Sequence, residues 1–423
     1  MSEAAQPLSQ EIAAENAAAT QKLPSIFRNA AFRTMWMAQL VSIFGDFLAL
    51  FAVISLITFR WHGTPVQVTT MTIAYIGPLA VLGPFAGVLV DHWNVKRVMI
   101  ASDCTRAVLI LGLLFAHDVR QVAAILFTVS LFSSFFSPAQ SITVRVVVPM
   151  ERLLHANAAL SQAFYIIRIV SPLIAGAVIA WLGERVCFYV DAASFAFSAL
   201  MISTLTIDRP PRQDADKSAR GLMRDFAEGN RFIFTHAGLS FVFIAMAAAM
   251  FVLSSFSPLI SIFVRDVLHA GTFLFGVVSA MVGVGLIAGT TALMRMAGKR
   301  PHPGIVLFGL IALAVATAVL GLSTHAWLAA FAMFLIGVAI ALVLVPSQTM
   351  SQQETPPQMV GRVSSTFMSM IFIAQMLGLV VSGALAERLG MRPLFLWAAL
   401  PLLLLAALGW WWMRARVTSG VSG

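Results

Sequence analysis

Five ionisable side chains sit inside stretches that are otherwise apolar: Asp46, Asp103, Arg106, Arg168 and Asp191. Asp46 lies ten residues into the run that begins near residue 36, roughly 15 Å along a helix axis. A charged carboxylate at that depth in a bilayer costs about 2.5–3.5 kcal/mol, so it should face a cavity or a partner. Burial also favours the neutral form of a carboxyl group, which is the property of an acid that takes up and releases protons. Asp46 is therefore expected to couple protons or bind a cation, or else to hold a neighbouring helix as a structural acid beside Gly45. Arg168, midway through another apolar run, bears a similar cost. It could pair with Asp46 or Asp103, or receive an anionic group of a substrate. Asp103 and Arg106 stand three residues apart on one helical face and should satisfy each other. Asp191 is expected to be structural, packing its helix on its neighbours. No Asp or Glu occurs within the apolar runs of the second half of the chain, so any proton chemistry must centre on these three acids.

The runs that must position these groups are long. The chain has 423 residues, 59% hydrophobic and only 11% charged, with a mean hydropathy of +0.89. Ordinary globular domains carry about 25% charged residues. Apolar runs of helical length fall near 36–59, 66–90, 98–116, 121–144, 157–182 and 186–206, then near 237–264, 272–296, 304–323, 325–346, 361–385 and 391–413. A spanning helix needs about 20 apolar residues, so the expected fold is an all-α polytopic membrane protein with twelve transmembrane helices in two halves of six. The short alternating segments of a membrane barrel do not occur.

Between the sixes the sequence turns polar, with Arg209, Arg212, Lys217, Arg220, Arg224 and Arg231 in one stretch. The expected organisation is a tail over 1–30, a six-helix half over 31–207, a basic linker over 208–232, a second half over 233–414 and a tail over 415–423. Placing the N-terminus inside puts 19 Lys and Arg in cytoplasmic segments and 6 in external loops, and Arg106 and Arg168 complete the 27. By the positive-inside rule both termini are then cytoplasmic. The net charge of +9 follows from these loops and implies no nucleic-acid partner. Cys104 and Cys187 stand alone, without CxxC or metal-ligand spacing, and are expected to be buried thiols. Neither a metal nor a cofactor is implied.

The two halves share an internal repeat. Pro138-Ala-Gln140 recurs as Pro346-Ser-Gln348 and Pro149 as Pro357, each 208 residues on, and Leu182-Gly183 recurs as Leu389-Gly390 at 207. Parallel halves related by an axis along the membrane normal, with a site between them, are typical of secondary transporters.

The segment Gly87-Val-Leu-Val-Asp91-His-Trp-Asn94-Val-Lys96-Arg97 resembles the loop signature of the major facilitator superfamily. Asn94 stands where that signature has a second glycine, and Asn tolerates the left-handed turn a glycine supplies. The resemblance implies a cytoplasmic gate built from Gly87, Asp91, Asn94, Lys96 and Arg97. Ala38-Gln39-Leu40 with Gly45-Asp46, Asn157-Ala-Ala-Leu160, Asp191-Ala-Ala-Ser-Phe195 and Gly361-Arg362-Val363-Ser364 resemble an exporter branch of that superfamily. The branch includes enterobactin exporters, macrolide efflux proteins and lysophospholipid transporters. Ser171-Pro172-Leu-Ile-Ala175-Gly176 is similar to its antiporter motif, with Ser and Ala in place of two glycines; Ser171, Pro172 and Gly176 would let helices approach and bend. The arginine that many proton antiporters of the superfamily carry early in the fourth span is missing from Gln121 to Phe136.

In the superfamily the first, fourth, seventh and tenth helices line the central cavity. That implies cavity positions for Gln39, Phe47, Phe51, Phe132, Phe136, Gln140, Phe251, Phe256 and Gln348, with Gln375 on the eleventh. An aromatic cavity with one acid suits amphipathic, often cationic, compounds. The expected activity is proton-coupled export of hydrophobic or amphipathic small molecules by alternating access, from a monomer in a prokaryotic inner membrane. A siderophore exporter and a lysophospholipid transporter are the transport alternatives, and a membrane sensor or scaffold is the alternative outside transport. Enzyme signatures are missing: the chain has no P-loop, HExxH or GxSxG. Gly283-Val-Gly285-Leu-Ile-Ala288 lies within an apolar run and reads as glycine-rich helix packing, with no cofactor.

Overall fold

The structure is a computed structural model that describes residues 26–207, 228, 230–295, 303–356 and 359–419. Most of the expected linker over 208–232 therefore lies outside the described residues, as do the ends of both expected tails. Among the described residues twelve helices are long and apolar enough to cross a membrane. The first half contains α1 (Ala30–Ser55), α2 (Pro65–Asp91), α3 (Val95–Gly112), α4 (Val119–Val147), α5 (Leu153–Leu182) and α6 (Glu184–Ser203). The second contains α7 (Ala237–Phe256), α8 (Thr272–Arg295), α9 (Pro303–Leu322), α10 (Ala326–Glu354), α11 (Val360–Leu389) and α12 (Met391–Ser419).

Several expected boundaries move. The run near 237–264 is one helix only to Phe256; a short helix, Ile260–Asp266, then follows Pro258, whose missing N–H cannot continue the ladder. α11 runs on to Leu389 and carries Glu387 in its last turn, and α10 runs on to Glu354, so the second half does hold acids at the ends of two spanning helices.

Local chemistry sets the helix ends. Thr64 and Gln67 form a reciprocal capping box at the start of α2, with Pro65 in its first turn. Asn94 and Asp118 cap α3 and α4 by accepting from Arg97 N and Gln121 N. Large apolar side chains face outward along the spans: Trp181 is 80% exposed, Phe115 75% and Val108 70%. In water such a surface would drive association, whereas lipid accepts it.

The repeat is built into the backbone. α1 packs on α5 and α6, α2 on α4, and α3 on α4 and α6; the second half repeats this as α7 on α11 and α12, α8 on α10, and α9 on α10 and α12. His62 and His269, each at φ 50°, are the two non-glycine residues with positive φ among the described ones, and they stand 207 apart. Gly183 (φ 81°) and Gly390 (φ 85°) repeat at the same offset and end α5 and α11. Between the halves α5 meets α8 and α2 meets α11. A Cβ on Gly176 would lie 3.0 Å from Gly276 Cα, and one on Gly383 would run into Thr69 and lie 3.2 Å from Val66 Cα. These two crossings also map onto each other at 207 residues. Within the second half, Gly285 and Gly289 of α8 sit against the backbone of α10 at Phe334 and Val338, the packing role expected of that glycine run.

The halves are tied at the end remote from the chain termini. Past Ser55, α1 widens into a π turn over Leu56–Arg60, where Trp61 N bonds to Leu56 O and Gly63 N to Ile57 O. Arg265 Nη1 donates to Thr58 O (2.6 Å) and Gly63 O (3.0 Å) across the interface, while its other nitrogens are held by Asp266. The Thr58 and Ser261 hydroxyls bond at 2.9 Å beneath, and Val66 N reaches Glu387 Oε1 at 3.4 Å. Arg265→Ala is expected to weaken closure of this end by about 2 kcal/mol, the scale of a hydrogen bond to a charged group. The measurement is labelling of Thr69→Cys from that side by an impermeant maleimide, in a background lacking Cys104 and Cys187. Unchanged labelling would show that the arginine contributes nothing to closure.

Candidate functional site

Arg106 is the centre of the polar interior. It stands on the inner face of α3, 4% exposed, with its guanidinium 4.7 Å from the Phe136 ring of α4 and 4.2 Å from the Phe195 ring of α6. Such a cation–ring arrangement, away from water, stabilises by about 2 kcal/mol. Its Nη2 is bonded to Asp103 one turn back, the pairing expected from their spacing, though each side chain keeps one buried polar atom that the pair leaves unsatisfied. Its Nη1 lies 3.8 Å from Asp46 Oδ2 and 3.5 Å from Ser133 Oγ.

Asp46 of α1 and Asp103 of α3 reach this guanidinium, and Asp191 of α6 lies within electrostatic reach of it. Gly45 brings α1 against α6, where a Cβ would collide with Ser194 and Asp191. Asp191 is fully buried, its Oδ1 taking a 3.2 Å bond from Ser194 within α6. Asp191 Oδ2, Asp103 Oδ2, Arg106 Nε and the Ser198 hydroxyl are buried without a hydrogen-bond partner. Buried polar atoms are nearly always satisfied, so a cluster of four orphans marks a strained or functional place. Tyr75 of α2 adds its phenol within electrostatic reach of Asp46 and Asp191. Asp46 is the accessible member, with 23% of its side chain exposed.

A cavity of about 240 Å³ lies on the terminus side of the cluster, lined by Gln39 and Ile43 of α1, Gln140, Ser141 and Val144 of α4, and Asn157, Leu160, Ser161, Phe164 and Tyr165 of α5. At 3.6 residues per turn, Asp46 continues the Gln39–Ile43 line of α1. Arg168 continues the α5 line one turn past Tyr165 and is exposed.

Several expectations are corrected. Arg168 pairs with neither Asp46 nor Asp103; both acids are paired with Arg106. Asn94 has φ −72° and ψ 105°, so it adopts no left-handed turn and acts as the cap of α3. Lys96 donates to Leu205 O at 2.7 Å, tying α3 to the end of α6, and Arg97 is exposed. Gly87 lies in the last turns of α2, beside Pro138 of α4; the Asp91 side chain is outside the described part. Cys187 is buried, but Cys104 is exposed, on the face of α3 turned away from Arg106.

Gln39 and Gln140 line the cavity, and Phe47 meets Phe164 of its wall at 5.8 Å. Phe51 instead stacks on Phe275 at 4.6 Å and seals the halves together. Phe136 is spent on Arg106, and Phe256 is core, 1% exposed against Phe395. Phe132, Phe251, Gln348 and Gln375 are half-buried, the last within 3.9 Å of Met250 Sδ. Ser171 is buried with its hydroxyl unpartnered, while Pro172 and Gly176 meet Gly276 of the other half. The role of Arg106 and the polar face of α5 were missed. The face was legible as Asn157, Ser161, Tyr165 and Arg168 at three- and four-residue steps.

Twelve spanning helices in two like sixes, with a polar cavity and an internal charge cluster, define a membrane transporter. The sequence pattern of the Major Facilitator Superfamily matches residues 35–378 and 242–421, and the chain belongs to that family. It is 27% identical over 385 residues to the MFS-type transporter YfiS of Bacillus subtilis, covering 88% of this chain and 90% of that one. The multidrug efflux pump Tap of Mycolicibacterium fortuitum is 26% identical over 86% of this chain and 92% of its own. Macrolide efflux protein A of Streptococcus pyogenes is 24% identical over 86% and 91%. The fold matches that of a bacterial homologue of the human lysosomal transporter Spinster, inward-facing and unoccupied, with TM-score 0.75 at 14% identity over 94% of this chain and 99% of that one. The nucleoside transporter NupG is also similar in fold, with TM-score 0.70 at 14% identity, covering 90% and 98%. These relatives are transporters, and the protein is a multi-pass membrane transporter of the same kind.

Proposed function

We propose that the protein exports amphipathic small molecules against inward proton movement, with Asp46 as the coupling acid. The observation that carries this reading is the position of Asp46, partly exposed, one turn beyond the cavity-lining Ile43 and linked at 3.8 Å to the buried Arg106. Three carboxyls within electrostatic reach of one guanidinium in a medium of low dielectric favour a cluster that holds at least one proton. Release of that proton strengthens the Asp46–Arg106 attraction, and its return loosens it, so protonation acts on the packing of α1 against α3. The efflux names of Tap and macrolide efflux protein A support the outward direction. The 19-to-6 bias of Lys and Arg supports cytoplasmic termini, the bacterial relatives support residence in a prokaryotic inner membrane, and the cavity then faces the cytoplasm.

The test uses inverted membrane vesicles and a panel of cationic, neutral and anionic amphipathic fluorophores. Native vesicles are expected to accumulate at least one on energisation. Asp46→Asn, equal in size but unable to release a proton, should lower gradient-driven accumulation at least tenfold, while exchange without a gradient persists. The reading fails if the variant pumps as well as the native chain at equal membrane insertion.

A further inference from the structure

We infer that Arg168 is the anchor for a carboxylate on the transported molecule, so that the cargo class is an amphipathic monoanion. This deepens the export reading and rests on it. Taking Phe164 as zero and about 100° per residue, the cavity residues of α5 span about −40° to +100°, and Arg168 falls near +40°, in the middle of that arc. Ala163 and Ile167 are buried on one side of that arc and Ile169 meets α8 on the other, while one turn beyond Arg168 the arc itself closes, with Ser171 and Ala175 buried and Pro172 against Gly276 of α8. Arg168 is exposed, and no ion pair or hydrogen bond to it occurs among the described residues, whereas Arg106 on α3 has Asp103 and Asp46.

An arginine is always charged and offers five donors in a planar fork matched to a carboxylate. The surroundings suit such a group and its remaining lone pairs. No acid is among the residues that line the cavity below Arg168; the lining offers amides from Gln39, Gln140 and Asn157 and hydroxyls from Ser141, Ser161 and Tyr165. Phe164 and Ile43 give the apolar body a place to lie. A single guanidinium balances a single negative charge, and a doubly charged phosphate would leave an excess beside the acids around Arg106. Cations are disfavoured by the same account, since the one accessible acid, Asp46, is already held by Arg106.

The test compares two probes with one aromatic body, 1-pyrenebutyrate and its trimethylammonium counterpart, by equilibrium dialysis against the full chain in nanodiscs, with empty nanodiscs subtracted. The native protein should bind the carboxylate about tenfold more tightly, the scale of one charge-assisted contact. Arg168→Gln should abolish that preference and Arg168→Lys should keep part of it. Equal or absent affinity for the two probes in the native protein overturns the assignment, as does a preference that survives Arg168→Gln. If Arg168→Gln does not insert, the native comparison and Arg168→Lys decide. The coupling reading fails separately: a carboxylate preference with pumping untouched by Asp46→Asn keeps the anchor and removes the proton, and Asp46-dependent pumping of the cation alone does the reverse.

Discussion

Replacing Arg106 with leucine is expected to destabilise the protein by about 3–5 kcal/mol, the cost of removing one partner from a buried ion pair. The loss is large because the guanidinium serves four neighbours at once. It bonds Asp103, attracts Asp46 and lies between the rings of Phe136 and Phe195. Without it Asp103, itself fully buried, keeps a carboxyl with no cation in reach. Arg106→Lys should recover only part, since a compact ammonium cannot lie flat between two rings and still reach both acids. The measurement is the apparent midpoint of thermal unfolding in detergent. Adding Asp103→Leu to Arg106→Leu should restore a good share of the loss, because two apolar residues of fitting size replace the pair. A midpoint unmoved by Arg106→Leu would show that the cluster is not held by its cation.

Gly276→Val is expected to shift the balance between the two faces of the transporter by a factor of about 5–150, the range of a 1–3 kcal/mol coupling. A Cβ on Gly276 would stand 2.6 Å from Pro172 O and 2.9 Å from Gly176 Cα, atoms of the other half that are backbone and cannot swing aside. Overpacking of this kind costs about 1–3 kcal/mol, and it falls on the arrangement in which α5 and α8 touch. Parting the halves at that end relieves it, so the open cavity should close. Ser161→Cys, placed in the cavity wall, reports this directly in a background without Cys104 and Cys187. Its labelling from the terminus side should drop in the Gly276→Val protein. Gly383→Val, which meets Thr69 and Val66 at the symmetry-related crossing, should act in the same direction. Unchanged labelling in both would mean that the two crossings do not open during the cycle.

The fold was legible because bilayer thickness and the backbone's need for hydrogen bonds leave few options to runs of about 20 apolar residues. Twelve helices, their pairing into two sixes and the end of α5 at Gly183 follow from such runs and from local turn chemistry. Asp46, Asp103, Arg106, Arg168 and Asp191 announced themselves for the same reason, since charge within an apolar run is costly wherever it occurs. Partnership was not legible. Which acid meets which base depends on how α1, α3, α4 and α6 are rotated about their axes, and those rotations are set by contacts between residues far apart in the chain. Gly45 seats α1 on Asp191 and Ser194, 146 and 149 positions later. That contact aims Asp46 at Arg106 and leaves Arg168, on a fifth helix, facing the cavity alone. Asn94 shows the limit at close range: its tolerance of a left-handed turn was a true property of the residue. The start of α3 had a stronger use for its side chain, as the cap on Arg97 N. Sequence determined where charge enters the membrane; tertiary packing decided which charges are spent on one another and which one is left to meet a ligand.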